Sequence, residues 1–300
     1  MAQVDFDIAV YAVNEAATIE ACIRSIDSAC AGRHGHIAVL LNGTTDESTS
    51  ILAGTRLTHA ALSVYLFPVA DKANAINHFL YTLRQRATAH FGIDAYTMIG
   101  PTALQAIVEA LASQPQALIA SGVPVNGRSA KFQADSTLRG GAVDGRLYAL
   151  RSSFVDRLVE ARLQLPLQLY WGDGLLGSMA AHDLCPMRKH WDNSRLIGVP
   201  DATFSITPLS IFLWRDVRRH YKREIRQRVG RVQNEAIKTI IYTRGYEALP
   251  ANANEMAATW LKANPLQPRS LRDRFFVRKA LQYIDAQRVG PTAPQLLFSR

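Results

Sequence analysis

Ile8–Ala9–Val10–Tyr11–Ala12–Val13–Asn14–Glu15 and His36–Ile37–Ala38–Val39–Leu40–Leu41–Asn42–Gly43–Thr44–Thr45–Asp46 are the two stretches that decide the fold. Each is an apolar run that passes directly into a short polar cluster, and a helical pattern reaching Ser28 lies between them. Apolar runs of strand length separated by a helix predict parallel strands in one sheet. The two polar clusters would then lie side by side at the carboxyl ends of the strands, where open α/β sheets bind ligands. Their residues are Asn, Glu, Thr and Asp rather than a run of glycines. That choice suits reading the base and ribose of a nucleotide through side-chain donors and acceptors.

Outward from these stretches, strand and helix alternate through the first two hundred residues. The pattern predicts an α/β fold, a mostly parallel sheet flanked by helices. Strands are expected near 5–12, 36–41, 63–67, 93–98 and 117–122, with a later one over 144–151. Helices are expected near 17–31, 46–54, 72–90, 101–113 and 153–162, and Pro101 sits where a helix start tolerates it. The segment 123–143, rich in Gly, Ser and Arg, reads as a long loop. From Pro208 only helical periodicity is expected. Val217, Tyr221, Ile225, Val229, Val232, Ala236 and Ile240 form one apolar stripe, and the other face carries Arg215, Arg218, Arg219, Lys222, Arg223, Arg226, Arg228 and Arg231. Further helices are expected near 252–263 and 270–288. The chain therefore divides into an α/β domain over 1–207 and an all-helical, basic C-terminal extension over 208–300.

A length of 300 residues, 48% hydrophobic and 20% charged, is that of a globular protein with a good core. Cys22, Cys30 and Cys185 lack metal-ligand spacing, and an odd cysteine count suits a reducing compartment. No basic and apolar leader precedes the first strand, so a cytoplasmic protein is expected. The nearest candidate for a membrane segment, the uncharged stretch from Thr203 to Trp214, has 12 residues and is broken by Pro208. It falls short of the roughly 18 residues of a transmembrane helix and reads as buried or interfacial. The net charge of +9 is uneven: residues 1–200 hold 16 basic and 17 acidic side chains, residues 201–300 hold 18 and 8.

Several motifs, in order, resemble family 2 glycosyltransferases over about residues 6–205. Asn14–Glu15, preceded by Val13, matches the family's Asn-Glu pair beside the donor nucleotide. Asn42–Gly43–Thr44–Thr45–Asp46 matches the acidic turn after the second strand, with Asn42 where an aspartate often contacts the base. Asp71–Lys72–Ala73–Asn74–Ala75–Ile76–Asn77 resembles the Gly-Lys-x-x-Ala-x-Asn stretch, which implies that Lys72, Asn74 and Asn77 serve the donor. The lysine would meet phosphate charge, aided by free N–H groups at the helix start. Asp94–Ala95–Tyr96 stands where the family keeps Asp-x-Asp, whose carboxylates hold Mg²⁺ or Mn²⁺ on the diphosphate. With Tyr96 in the second place, only Asp94 is left as a metal ligand, and one carboxylate holds a hard dication weakly. Tyr170–Trp171–Gly172–Asp173–Gly174 resembles the Glu-Asp pair at the start of an acceptor-side helix. Asp173 stands where the family keeps its general base and Gly172 where it keeps the other acid; Gly145 and Trp171 are placed on the acceptor side. Each of these polar turns also suits simple helix capping.

The resemblance implies a GT-A fold, with a nucleotide half over about 1–98 and an acceptor half over about 99–207. It implies an inverting transfer of a sugar from a nucleoside-diphosphate donor to a hydroxyl acceptor, one that is lipid-linked included, with weak or absent metal dependence. A non-catalytic sugar-nucleotide binding protein and a nucleotidyltransferase of related fold are the alternatives. The second lacks the Gly-rich basic loop expected between Val13 and Thr18. No nucleic-acid module is recognisable. The Arg226–Gln227–Arg228–Val229–Gly230–Arg231 segment lacks the tryptophan and the flanking membrane helices of processive synthases. The basic face over 215–231 is expected to meet an anionic partner, such as the inner membrane face carrying the acceptor.

Overall fold

The computed structural model describes residues 3–127, 129–207, 214–266, 268, 270–286 and 290–300, apart from the side chains of residues 214–220 and 272. The sheet is built on β1 (Phe6–Ala12), β2 (Gly35–Asn42), β3 (Ala60–Phe67) and β4 (Ala89–Asp94), which lie parallel in the order β4-β1-β2-β3. Every residue of β1 and β2 is buried, as expected of parallel strands covered on both faces. Their side chains alternate between two cores. Ile8 and Val10 pack with α1 (Ile19–Ala29), α2 (Ser48–Gly54) and α4 (Ala103–Ser113). Ala9 and Tyr11 face α3 (Lys72–His78), α6 (Ser152–Glu160), α7 (Gly172–Ala181) and α8 (Trp214–Arg244).

Beyond β4 the sheet becomes mixed. β5 (Thr97–Ile99), β6 (Ile119–Pro124), β7 (Leu147–Arg151), β8 (Leu196–Ile206) and β9 (Gln295–Ser299) complete the order β5-β8-β6-β7-β4-β1-β2-β3-β9. β7 runs antiparallel to both β4 and β6, whereas β8 runs parallel to β6. The arrangement is α/β and GT-A-like.

The expected helix over 72–90 ends much earlier. α3 passes into a π turn at Phe79–Leu83, and β4 already begins at Ala89. The strand expected over 93–98 is two pieces, because β4 pairs with β1 only as far as Tyr11 opposite Asp94. Ala95 N–H then donates to Tyr11 O (3.0 Å), and the chain crosses to pair β5 with β8 at the sheet edge. The segment 123–143 is not simply a loop: it holds α5 (Ala130–Leu138), of whose residues only Thr137 is buried. An exposed helix carries no apolar stripe to read.

The C-terminal extension contains α8, α9 (Ala253–Ala263) and α10 (Leu271–Ala286), whose shared core includes Val229, Val232, Ala257, Ala280 and Ile284. It is not all helical, since β9 returns antiparallel onto β3. The Arg300 guanidinium then locks the tail by donating to carbonyls of Leu52 (2.5 Å), Ala53 (3.0 Å) and Thr55. Thr203–Ile206 closes β8, while 208–213, the side chains of Val217, Arg215, Arg218 and Arg219, and residues 287–288 lie outside the described residues. No helix among the described residues is long and apolar enough to cross a membrane.

At the amino ends of the parallel strands lies a polar cluster that the motifs did not announce. Asp7, fully buried, accepts from His90 Nδ1 (2.8 Å), His36 Nδ1 (3.2 Å) and Gln85 N–H (3.0 Å). These bonds tie β1, β2 and β4 together and stop the helical run before β4. Asp7→Ala leaves three buried donors without their acceptor and is expected to cost about 3–5 kcal/mol, read as a lower urea midpoint at unchanged m. A loss below about 1 kcal/mol would show that the cluster does not hold these strands.

Candidate active site

The carboxyl ends of β1 and β2 carry the predicted loops, bolted to one another. Asn14, at φ 54, takes the left-handed conformation that Asn tolerates. Its Oδ1 accepts from Thr45 N–H (2.8 Å), Thr45 Oγ1 (3.3 Å) and Asp46 N–H (3.2 Å). Asp46 returns the contact, accepting from Ala16 N–H (2.9 Å) and from Ser48 Oγ (2.6 Å). Glu15 accepts from Thr18 Oγ1 (3.1 Å), Thr44 Oγ1 donates to Ala12 O (3.4 Å), and Val13 is exposed at the rim. Gly43, at φ 57, is required here, because a Cβ would stand 2.7 Å from Ala70 N. Asn42 is buried at the end of β2. Its Nδ2 donates to Leu40 O (3.1 Å), and its Oδ1 has no hydrogen-bond partner.

The helix start after Asp71 is closed. Asp71 accepts from Ala73 N–H (3.0 Å) and Asn74 N–H (3.2 Å) with one oxygen and from Gln168 N–H (2.8 Å) with the other. The N–H groups expected to meet phosphate are therefore already occupied by the cap. Asn74 Nδ2 donates to Thr292 O (2.8 Å), and the Asn77 amide exchanges two bonds with Leu165, as donor (2.8 Å) and acceptor (2.9 Å). Both asparagines brace other segments, and Lys72 alone projects from this turn into the cleft.

Lys72 is where the separate elements converge. Its Nζ lies 2.5 Å from Asp94 Oδ1, at the end of β4, and 3.4 Å from Gly145 O. It also stands 5.3 Å from the centre of the Tyr11 ring. The second Asp94 oxygen accepts from Tyr96 OH at 2.8 Å. Burial opposes the Lys72 charge, but Asp94 and then Asp173 more than compensate and hold its pKa above the ordinary lysine value. Tyr96 is pushed well above the usual phenol range, by burial first and by Asp94 next, so it stays a neutral donor.

Asp173 enters from the first turn of α7. A Cβ on Gly145 would fall on its Oδ2, so the glycine is what admits this carboxylate beside Lys72. Desolvation raises the Asp173 pKa above that of an ordinary aspartate, against the pull of Lys72, and Asp94 adds to the rise. Beneath lies Tyr148, buried and admitted by Gly92 opposite it, with its hydroxyl pushed up to about 12 chiefly by burial. Neither Tyr11 nor Tyr148 stood out in the sequence, where each reads as one more apolar strand residue. Asp144 and Arg146 form a further pair at 2.5 Å, with the Arg146 guanidinium 4.8 Å from the Phe204 ring centre. Trp171 lies half exposed beside Tyr170, and Gly172 is buried at the start of α7.

No family model matches this chain, and no curated protein matches it. Solved structures match most of it. A mannosyltransferase, PcManGT, from Pyrobaculum calidifontis, solved with GDP-Man and Mn²⁺, shares 17% identity over 94% of this chain and 81% of its own, with a TM-score of 0.57. TarS 1–349 from S. aureus shares 13% over 94% of this chain and 82% of its own, TM-score 0.56. The same TarS segment with UDP-GlcNAc gives 12%, 94%, 83% and 0.55. The fold is thus that of glycosyltransferases, and the chemistry has to be read from the residues just described.

Gly145→Ala tests the convergence directly. The new methyl group should displace the Asp173 carboxylate while the fold persists, so the raised titration of Asp173, followed by carbon NMR, should shift at nearly unchanged Tm. An unchanged Asp173 titration in this variant would show that Gly145 does not admit the carboxylate.

Proposed function

We propose that this protein is an inverting glycosyltransferase that moves a sugar from a nucleoside-diphosphate donor to a hydroxyl acceptor. The observation that carries this reading is the Lys72 ammonium paired with Asp94 (2.5 Å) at the carboxyl ends of the strands, with Asp173 admitted to the same cleft by Gly145. The donor binds over the β1 and β2 loops and Asn42. The buried Asn42 carbonyl, unpartnered at the end of β2, is assigned as an acceptor for a base N–H, since buried polar atoms ordinarily have partners.

The metal that Asp-x-Asp sites hold, and that the Pyrobaculum enzyme was solved with, does not suit this donor set. Asp94 has both oxygens engaged, by Lys72 and Tyr96, and among the described residues no group of three His, Cys, Asp or Glu side chains could hold a metal ion. In this reading Lys72 supplies the positive charge beside the diphosphate as a compact point charge. Asp173, made more basic by desolvation, takes the proton of the acceptor hydroxyl. The hydroxyl oxygen forms a bond to the anomeric carbon, the bond from that carbon to the diphosphate breaks, and the nucleoside diphosphate leaves with the electron pair. The free cysteines fit a cytoplasmic setting, and the exposed basic residues of α8 fit a peripheral contact with an anionic inner membrane face that presents a lipid-linked acceptor.

Asp173→Asn should bind UDP or GDP as the wild type does and lose transfer by about 10²–10⁴-fold. A wild type that binds nucleotide with no turnover to lose would instead be a non-catalytic binding protein. Because the base works deprotonated and its pKa is raised, the acid limb of the wild-type rate profile should lie above the ordinary aspartate value of about 3.9. The same shift has a stability counterpart. A carboxyl whose folded pKa is raised stabilises only at low pH and loses that contribution as pH rises through the folded pKa. Asp173→Asn is therefore expected to be at least as stable as wild type at pH 7, with the difference vanishing in acid. An acid limb at the ordinary value would remove desolvated Asp173 from the rate-limiting proton transfer.

A further inference from the structure

One face of α8 is built against the segment that delivers Asp173. Gly230 lies where a Cβ would meet Tyr170 Cδ1 at 2.7 Å and the Trp171 ring at 3.2 Å, so the helix backbone rests on these two aromatics. Three residues on, the fully buried Gln233 accepts from Tyr170 N–H (3.0 Å) and donates to Gln168 O (3.0 Å) and Asn254 Oδ1 (2.8 Å). Helical spacing puts Arg226 and Arg223 on this same face, roughly 6 and 10 Å beyond Gly230 along the axis. Tyr170, three residues before Asp173, feels both guanidinium groups together with Asp173 and Lys72, although burial is the largest influence on its raised pKa.

These two arginines differ from their neighbour. Arg228 is neutralised by Glu224 (3.2 Å) and Asp273 (3.3 Å) and lies 4.8 Å from the Phe276 ring centre, which accounts for it as a structural link to α10. Arg223 and Arg226 are exposed, and no ion pair or hydrogen bond engages their side chains among the described residues. In the transferase reading Lys72 serves the diphosphate. Arg223 and Arg226 lie on the face of α8 that rests on Tyr170 and Trp171, the residues that lead into Asp173. A guanidinium pair in that position matches a phosphate through its forked donors.

We propose that the acceptor carries a phosphate group besides its reacting hydroxyl, and that Arg223 and Arg226 hold that phosphate beside Asp173. This inference rests on the transferase reading. The phosphate belongs either to a soluble phosphorylated acceptor or to a phospholipid headgroup.

The test titrates the full chain with sn-glycerol 3-phosphate and with glycerol, matched hydroxyl compounds with and without the phosphate. In parallel it is sedimented with phosphatidylglycerol and with neutral phosphatidylcholine vesicles. Arg223→Gln/Arg226→Gln is compared with a charge-matched control, Arg231→Gln/Lys238→Gln, which alters other faces of the helix. Wild type and control should prefer sn-glycerol 3-phosphate over glycerol, or the anionic phosphatidylglycerol headgroup over phosphatidylcholine, whose phosphate is offset by its choline, by about tenfold or more, and the Arg223/Arg226 variant should lose that preference. Preference in the soluble arm identifies a free phosphorylated acceptor, and preference confined to vesicles a headgroup. No preference in either arm, or a preference that survives in the Arg223/Arg226 variant, overturns the proposal. So does a variant that loses UDP and GDP binding in step, since the arginines would then serve the donor. A wild type that binds neither UDP nor GDP fails the donor reading, while the phosphate titration still reports on the arginines.

Discussion

The ion pair of Lys72 with Asp94, within reach of the charge of Asp173, is the constraint on which the site depends. Lys72 comes from the start of α3, Asp94 from the end of β4, and Asp173 from the start of α7. Bringing them together leaves no room for a side chain in the turn before β7 or at one position of β4: Gly145 admits the Asp173 carboxylate, and Gly92 admits Tyr148 below it. An unpaired ammonium in such a desolvated place would be costly, so Asp94 holds Lys72 in register. The same crowding makes Asp173 more basic than an ordinary aspartate.

Much of this could be read in the sequence, for physical reasons. The apolar runs of β1 and β2 fixed two parallel strands, and parallel neighbours must place their following loops together. The motif order put Lys72, Asp94 and Asp173 at the ends of successive elements, whereas the direct pairing of Lys72 with Asp94 was not legible in it. What could not be read depended on tertiary contacts. Asn14 and Asp46 look like ligand-readers but spend their side chains joining the two loops. Asn77 looks like a donor contact but is buried and bonded to Leu165. α5 lacked a hydrophobic stripe, and β8 carries Pro200 and Asp201 in mid-strand and shifts register against β6. β9 pairs with a strand more than two hundred residues earlier, a contact that no local pattern encodes.

The concentration of charge in the last third has a structural division within it. Part of it is internal: Arg228 links α8 to α10, and Arg300 fastens the tail over the end of α2. Among the described residues Arg223 and Arg226 stay exposed, on the face of α8 that follows Gly230 toward the helix start. Solubility alone asks for no such placement. In the proposed reading an anionic donor and an anionic acceptor would need separate cations, a demand that Lys72 and the exposed pair Arg223 and Arg226 would meet from different elements.

The central claim is that Lys72, paired with Asp94 and backed by Tyr96, takes the place of a divalent cation. It is tested most directly by measuring nucleoside-diphosphate release from UDP- and GDP-sugars in excess EDTA and again in Mn²⁺, with wild type and Lys72→Met side by side. The account predicts that wild-type turnover is the same in EDTA and Mn²⁺ and that Lys72→Met is severely impaired in both. Wild-type activity that vanishes in EDTA and returns with Mn²⁺ would contradict it.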